Sequence, residues 1–454
     1  MKKTYLAFLF AVCLLLVGCG NSKSGPSWEE TLEPTASTEV PQQSGGYSRN
    51  EPILIYDEII NGNVTFSLYE DGRLLLTGAD IEDSIVDTQA YQDFKEDITT
   101  IEIGEGVSHV GEKAFANAEK VKKLVIGDNV DTIGYYAFSN CPELAQIDFG
   151  SGLSEISDFA FANCTKLTDV NLDGSITTVG ERVFSGCTAL KNAILGANIQ
   201  SLGSCVFDGC TALASLRVGC NVSVSALSNN SKLVSVVLED TVEHLESSAF
   251  SGCPELETIT FSKNLKCVGD YAFSDCVKLK EISLPESVTE IGDQAFAGCT
   301  GIAKAKIGPN VEAMGELLFS GCTELKTLDC NSSIGYASFK ECEALEAVNL
   351  GETVITIGAQ AFQGCKALME MKLPEGVEEI GDRAFHKCEA LKRLYFPSTL
   401  KRVGSEIFYG TPSLNYMYYN GSAAQWAKVK KDNSTWNRNY GGGIKWITKY
   451  EIEG

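Results

Sequence analysis

The chain has 454 residues, and its 37 Lys and Arg against 60 Asp and Glu give a formal net charge of −23. Because so acidic a surface repels phosphate backbones and anionic lipid headgroups, nucleic-acid binding is disfavoured from the start. The composition, 44% hydrophobic and 21% charged, is that of a folded protein, while only three His leave little material for catalytic triads or imidazole metal sites.

The first segment in chain order is an export signal. Two Lys precede an apolar run over residues 6–17, which is too short for the roughly 20 residues that span a bilayer. The run ends at Leu16-Val17-Gly18-Cys19, which resembles the lipobox of bacterial lipoproteins. The resemblance implies a lipoprotein signal peptide over 1–18, lipid on the sulfur of Cys19 and attachment to the outer face of a bacterial membrane. An ordinary secretory signal that happens to carry a Cys is the alternative.

A polar segment follows the signal. Residues 20–50 consist mostly of Ser, Thr, Pro, Gln, Gly and Glu, with almost no apolar residues. Such a segment cannot bury enough surface to fold, so the sequence predicts a lipidated Cys and a flexible tether over 19–50.

From residue 98 onward the chain is self-similar. A Phe recurs every 23 residues, with two steps of 20 residues and with Leu227 as a degenerate copy, which makes about fourteen repeats. A period of 20–29 residues with the pattern Leu-x-x-Leu-x-Leu, as at 279–284, is the leucine-rich-repeat signature. We expect each Phe to fill the centre of one coil. The thirteen Phe are Phe115, Phe138, Phe161, Phe184, Phe207, Phe250, Phe273, Phe296, Phe319, Phe339, Phe362, Phe385 and Phe408.

A turn residue is predicted two positions after each repeat Phe. This position holds Gly seven times, Asn four times and Asp once, which are the residues that tolerate positive φ. The sequence therefore predicts an obligatory left-handed residue there, with Glu341 and Lys387 as strained exceptions.

One repeat carries a family resemblance most clearly. In the form Val-x-x-Ile-Gly-x-x-Ala-Phe-x-Gly-Cys, it resembles the BspA or Treponema-type leucine-rich-repeat family, through Val288, Ile291, Gly292, Ala295, Phe296, Gly298 and Cys299. The resemblance implies a leucine-rich-repeat solenoid, an α/β horseshoe-like arc of short parallel strands, over 98–419. It also implies a β-rich N-terminal cap over 51–97, a C-terminal cap over 420–454, and a surface adhesin that binds host or neighbouring-cell proteins.

Cysteine is the first candidate for chemistry. Eleven Cys lie three residues after a repeat position, which predicts one interior column of structural thiols: Cys141, Cys164, Cys187, Cys210, Cys253, Cys276, Cys299, Cys322, Cys342, Cys365 and Cys388. Neighbouring Cys in such a column are close enough for disulfides, so that alternative stays open, although their parallel side chains disfavour it. Zinc is disfavoured because no Cys-x-x-Cys pair occurs.

The remaining catalytic candidates are weak. His109, His244 and His386 lie more than one coil apart, so they cannot form a triad, and we expect each to be an exposed turn residue. A glycosidase-like pair of carboxylates stays open by number alone. The sequence therefore predicts no enzyme, no cofactor and no metal.

The outward positions of the strands are the better candidate site. Tyr395, Tyr416 and Tyr418, with Arg393 and Trp426 near them in sequence, are the residue types of binding hot spots. They lie where the charge becomes basic, since residues 386–454 hold 11 basic and 5 acidic residues. The alternative is that these aromatic residues only close the end of the stack.

These patterns lead to one leading function and two alternatives. We expect a non-catalytic, adhesin-like cell-surface protein that docks an extracellular protein on its strand face. A glycan-binding protein that uses the aromatic patch, and an architectural spacer without a specific ligand, are the alternatives.

Overall fold

Each 23-residue repeat forms one coil with two short strands. The computed structural model describes residues 52–61, 63–432 and 445–448, all of which belong to one compact unit, Pro52–Gly454. The predicted solenoid of short parallel strands is confirmed, because strands one coil apart pair in parallel register within four successive sheets of longer strands. The signal peptide, Cys19 and the tether over 20–50 lie outside the described residues.

The longer strand of each coil forms what we call the long-strand ladder. Its strands come from the second half of the Leu-x-x-Leu-x-Leu segment, where apolar side chains alternate with outward-facing ones. The strands are Thr100–Ile103, Lys123–Ile126, Gln146–Asp148, Asp169–Leu172, Asn192–Leu195, Ser215–Val218, Ser235–Leu238, Thr258–Thr260, Glu281–Ser283, Lys304–Ile307, Thr327–Cys330, Ala347–Leu350, Glu370–Lys372, Arg393–Phe396, Tyr416–Tyr419 and Lys445–Thr448.

A second parallel ladder, the short-strand ladder, was not predicted. Its strands have two residues each, which is too short for any periodicity to appear in the sequence. The strands are His109–Val110, Thr132–Ile133, Glu155–Ile156, Thr178–Val179, Ser201–Leu202, His244–Leu245, Cys267–Val268, Glu290–Ile291, Ala313–Met314, Thr356–Ile357, Glu379–Ile380, Arg402–Val403 and Lys430–Lys431. At the two 20-residue repeats only the isolated bridges Val222–Leu245 and Ile334–Ile357 remain.

Two hairpins precede the first coil. Leu54–Ile60 pairs antiparallel with Val64–Tyr69, which pairs antiparallel with Arg73–Thr77, and this last strand pairs in parallel with Thr100–Ile103. The core of the first coil is therefore closed by hairpin strands.

Helix is scarce in the described part of the chain. It consists of a 3₁₀ turn at Ile85–Asp87, a helix at Gln89–Phe94 and a helix at Ala423–Trp426. The last one begins with a capping box, in which Ser422 accepts from the Gln425 N–H and the Gln425 side chain accepts from the Ser422 N–H. Among the described residues, no helix has the length and apolar character needed to cross a bilayer.

The repeat Phe side chains form the centre of the core. All thirteen are buried, and ten pairs of successive rings are stacked with centroids 5.1–5.8 Å apart. Each ring therefore packs mainly against the coils on either side, so stability is a sum over neighbouring coils.

The left-handed turn position is observed in every repeat. The residue two positions after Phe, or after Leu227, has φ between 56° and 79° in all fourteen repeats, including Glu341 and Lys387 at 59° and 58°. The predicted left-handed backbone is therefore confirmed at these two residues, and this conformation generally costs an L-residue other than Gly, Asn or Asp about 1–2 kcal/mol.

A second left-handed column was missed. The residue two positions before each repeat Phe also has φ between 49° and 57°, and none of these fourteen residues is Gly. Inter-coil hydrogen bonds hold the turn in place, since in the first repeat the N–H groups of Lys113, Phe115 and Asn117 all donate to carbonyl groups of the next coil. Because the backbone is held from outside, residues as different as Lys113, Phe159 and Ala337 occur here, and no preference for Gly, Asn or Asp marks the position in the sequence.

Candidate binding surface

The cysteine column is part of the core. Each of its eleven Sγ atoms donates to the carbonyl oxygen of the repeat Phe or Leu227 one coil earlier, over 3.0–3.6 Å. All fifteen Cys of the described residues are free thiols. The hydrogen bond needs a protonated sulfur, and burial raises the pKa of thiols such as Cys164 and Cys365 well above the ordinary range. This column is therefore unsuited to nucleophilic chemistry or metal binding.

The three His occupy different environments. His109 is exposed, with Nδ1 against the Thr132 hydroxyl, whereas His244 is half-buried in a short strand. His386 is also half-buried and stacks on Tyr409 with centroids 5.2 Å apart, so the expectation of an exposed turn residue is wrong for these two. Burial, and then the cations of Lys387 and Arg383, lower the pKa of His386. Within the described ranges, no group of three His, Cys, Asp or Glu side chains is placed to hold a metal ion.

Tyr395, Tyr416 and Tyr418, three of the predicted binding residues, lie together on the outward side of the long-strand ladder. We call this outward side the strand face. The parallel register places Tyr395 beside Tyr418 and Arg393 beside Tyr416. The rings of Tyr395 and Tyr418 stack with centroids 4.5 Å apart and planes 8° apart, and those of Tyr416 and Tyr418 are 6.3 Å apart. All three tyrosines are half-buried.

Charged side chains surround this tyrosine cluster. The Arg393 guanidinium donates to a Glu370 carboxylate oxygen over 3.2 Å, which raises the pKa of Arg393. The Lys372 ammonium lies 5.5 Å from the centroid of the Tyr395 ring. Burial, and then the charge of Glu370, raise the pKa of the Tyr395 phenol. Lys372 and Tyr418 are the neighbours of Tyr395 on its two sides, so both faces of its ring lie next to another side chain.

Trp426 lies on the core side of this end of the solenoid. It packs against Phe396 and Tyr419, with centroids 5.6 Å and 5.1 Å away, and these two residues alternate with Tyr395 and Tyr418 along their strands. Since alternate side chains of a strand point to opposite sides, Trp426 does not belong with the outward tyrosines. The sequence analysis grouped Trp426 with the tyrosines because their residue numbers are close. Closeness in sequence does not show which side of the sheet a side chain faces.

The middle of the strand face holds a stretch that the sequence interpretation passed over. Its outward side chains are mostly small, uncharged or apolar: Asn171, Asn192, Ile194, Ser215, Ser235, Val237, Thr258 and Thr260. The charged residues at these positions are Asp169, which accepts a hydrogen bond from Asn192, and Arg217, which is paired with Glu239. Val237 is 45% exposed, and Val234 beside the strand is 40% exposed. Depletion of charged side chains is a feature of the cores of protein interfaces. Parallel pairing of the strands places these residues side by side, although they lie one coil apart in sequence.

Comparison with known proteins agrees with the coil geometry. The model of the BspA type leucine rich repeat region matches residues 84–214, 221–334 and 329–428, which together cover most of the chain. The chain belongs to this family. The leucine-rich-repeat fold predicted from the sequence is thereby confirmed, and no curated protein matches this leucine-rich-repeat protein.

Several solved structures are similar to this leucine-rich-repeat protein. A leucine-rich repeat protein from Bacteroides ovatus is 25% identical, with a TM-score of 0.57, and the match covers 88% of this chain and all of that one. A leucine rich cell surface protein from Faecalibacterium prausnitzii is 21% identical, covering 85% of this chain and 100% of the other, with a TM-score of 0.31. The T. pallidum leucine rich repeat protein is 24% identical, covering 54% of this chain and 90% of the other, with a TM-score of 0.31.

Proposed function

We propose that this leucine-rich-repeat protein is a non-catalytic cell-surface protein that docks an extracellular protein partner on its strand face. The observation that carries the proposal is the parallel pairing of the long strands, which presents two outward side chains per coil on successive coils of each sheet. Repeat proteins use such surfaces for extended contacts with partners. The uncharged stretch around Val237 and the tyrosine cluster supply the two kinds of side chain that carry interface energy.

The tyrosine cluster favours a protein over a glycan. A sugar ring stacks on the open face of an aromatic ring, but Tyr418 and Lys372 lie on either side of the Tyr395 ring. Tyrosines beside an arginine are the residue types that most often carry the binding energy of protein interfaces. Glycan binding therefore stays the second candidate, and an architectural spacer stays the third.

The proposed location rests on the N-terminal signal. Leu16-Val17-Gly18-Cys19 has the lipobox form, and 1–18 and 20–50 have the composition of a signal peptide and a tether. Substituting Cys19→Ala is expected to abolish lipid incorporation and to release most of the protein from the membrane fraction. Labelling cells with a fatty-acid analogue checks this, with Cys13→Ala inside the signal as the control. Equal labelling of both variants would contradict anchoring at Cys19.

The binding proposal is tested with the purified protein on arrays of extracellular-matrix proteins and glycans. For a protein ligand that uses the tyrosine cluster, we expect Tyr395→Ala with Tyr418→Ala to weaken binding at least tenfold, because hot-spot aromatic residues commonly contribute 2 kcal/mol or more. Surface plasmon resonance on the captured ligand measures the affinity at low and physiological salt.

The matched control removes two exposed tyrosines elsewhere, Tyr271→Ala with Tyr336→Ala. A protein ligand that binds this control and the cluster variant equally would move the site to the stretch around Val237. A glycan ligand lost only in the cluster variant would replace the proposal with the second candidate. Absence of any ligand on both arrays would favour the spacer.

A further inference from the structure

A second aromatic cluster lies away from the strand face, on the turns that follow the short strands. Tyr135, Tyr136 and Phe159 come from two successive coils. The Tyr136 and Phe159 rings stack with centroids 4.8 Å apart, and Tyr135 meets both edge-on, at 4.3 Å and 6.0 Å. Tyr135 is 39% exposed, so the cluster reaches the surface.

The fold does not require aromatic residues at these positions. Tyr136 and Phe159 belong to the left-handed column two residues before the core Phe, with φ of 55° and 56°. Other coils place Ser248, Gln294 or Ala337 there with the same backbone. The backbone conformation therefore does not select an aromatic residue, although one other coil places Tyr271 there. The core is filled by the separate repeat Phe, so the cluster calls for an explanation outside folding.

Carboxylates flank the exposed ring. Tyr135 has Glu112 one coil before it and Asp158 one coil after it in the same turn column, and one Asp158 oxygen accepts the Glu181 N–H over 2.7 Å. A hydrogen bond with Tyr136, then burial, and then the charges of Asp158 and Glu112 raise the pKa of the Tyr135 phenol. The negative charges of Glu112 and Asp158 are therefore both felt at the Tyr135 side chain.

The nearby cations, Lys113 and Arg182, belong to the left-handed column two residues before the repeat Phe and already form ion pairs. Lys113 contacts Glu112, and the Arg182 Nε lies 3.9 Å from oxygens of both Glu181 and Asp208. These pairs are solvent-exposed and individually weak, so an incoming cation can compete with them. Carboxylates on both sides of an aromatic ring together fit a guanidinium or ammonium group, which the ring attracts through its face and the carboxylates attract by charge.

We propose that Tyr135, with Tyr136 and Phe159 packed against it and Glu112 and Asp158 on either side, is a second docking point that receives an arginine or lysine side chain of a protein partner. The site lies on the turns and does not depend on the strand face. A partner that engages both surfaces would be held at two separated points.

The test uses the purified full chain and a fluorescent peptide, fluorescein-Gly-Arg-Gly-Arg-Gly-amide, with its Lys and Gln counterparts. Fluorescence anisotropy at 20 and 150 mM NaCl measures the dissociation constants. We expect the Arg peptide to bind more tightly than the Gln peptide, and Tyr135→Ser to weaken its binding about tenfold.

Tyr336→Ser is the matched control. Tyr336 occupies the same position of its repeat and is 38% exposed, but its column neighbours are Glu316 and Ala359, and Ala337 replaces the stacked ring. We expect it to change affinity less than twofold. Equal affinity for the Arg and Gln peptides, equal effects of the two substitutions, or displacement of the peptide by maltose would each overturn the proposal. Tyr395→Ala with Tyr418→Ala should leave peptide binding unchanged, which separates this site from the strand face.

Discussion

Raising the pH from 8 to 9.5 is expected to unfold the solenoid in a steep transition. Burial raises the pKa of nine thiols of the cysteine column: Cys164, Cys210, Cys253, Cys276, Cys299, Cys322, Cys342, Cys365 and Cys388. For Cys253 the raised value is about 12, whereas a thiol in the unfolded chain titrates near pH 8.5.

The direction of the effect follows from which state loses protons first. Above about pH 8.5 the unfolded chain releases thiol protons that the folded chain retains, so the free energy of unfolding falls as the pH rises. The stabilisation is complete below pH 8.5 and is lost progressively toward the raised pKa values of the folded state. Each thiol contributes up to about 1.4 kcal/mol per pH unit. Nine together give a slope on the order of 10 kcal/mol per pH unit, comparable to the whole stability of a domain.

Urea titrations followed by circular dichroism at pH 7.5, 8.5, 9.0 and 9.5 measure this slope. Cys276→Ala should reduce this slope by about 1.4 kcal/mol per pH unit, because it removes one titrating thiol. The fold should accept the substitution, since Ala118 already occupies the corresponding position of the first repeat. Ser274→Ala, a neighbouring buried residue that does not titrate, should leave the slope unchanged. A free energy of unfolding that stays constant from pH 7.5 to 9.5 would contradict the protonated, buried column.

Replacing one ring of the Phe stack is expected to have the second largest effect. Phe273 is fully buried, and its ring stacks on Phe250 at 5.4 Å and on Phe296 at 5.3 Å. Phe273→Ala removes contacts with both neighbouring coils and leaves a cavity, which costs about 3–5 kcal/mol. Since stability is summed over neighbouring coils, the loss should weaken the coupling between the coils on either side. Urea unfolding at pH 7 checks the magnitude, and hydrogen exchange checks its location.

Phe159→Ala makes the same substitution outside the Phe stack and is the comparison for Phe273→Ala. Phe159 is half-buried in the left-handed column before each repeat Phe, so its removal should change the free energy of unfolding by less than about 1 kcal/mol. Equal losses for Phe273→Ala and Phe159→Ala would show that the central stack is not the main source of coil-to-coil stability.

The candidate site was predictable only in part. Tyr395, Tyr416 and Tyr418 were found because strand alternation is a local property that a period of two reveals. Trp426 was grouped with them by nearness in sequence, although it packs on the inward Phe396 and Tyr419. The uncharged stretch around Val237 becomes apparent once both outward positions of successive strands are placed side by side, because its side chains come from successive coils.

The repeat, the buried Phe and Cys columns and the left-handed position after each Phe are all visible in the sequence. Each favours particular residue types at a fixed phase, so repetition makes it visible: a large apolar side chain fills the centre, and Gly, Asn and Asp tolerate positive φ best. The short-strand ladder and the left-handed column before each Phe arise from the stacking of the coils. Hydrogen bonds from the next coil impose both, as in the bond from Lys113 N–H to the Tyr135 carbonyl, and they place no demand on the side chain. The clustering of Tyr135, Tyr136 and Phe159 has the same origin, because stacking of coils brings together residues that lie 23 positions apart.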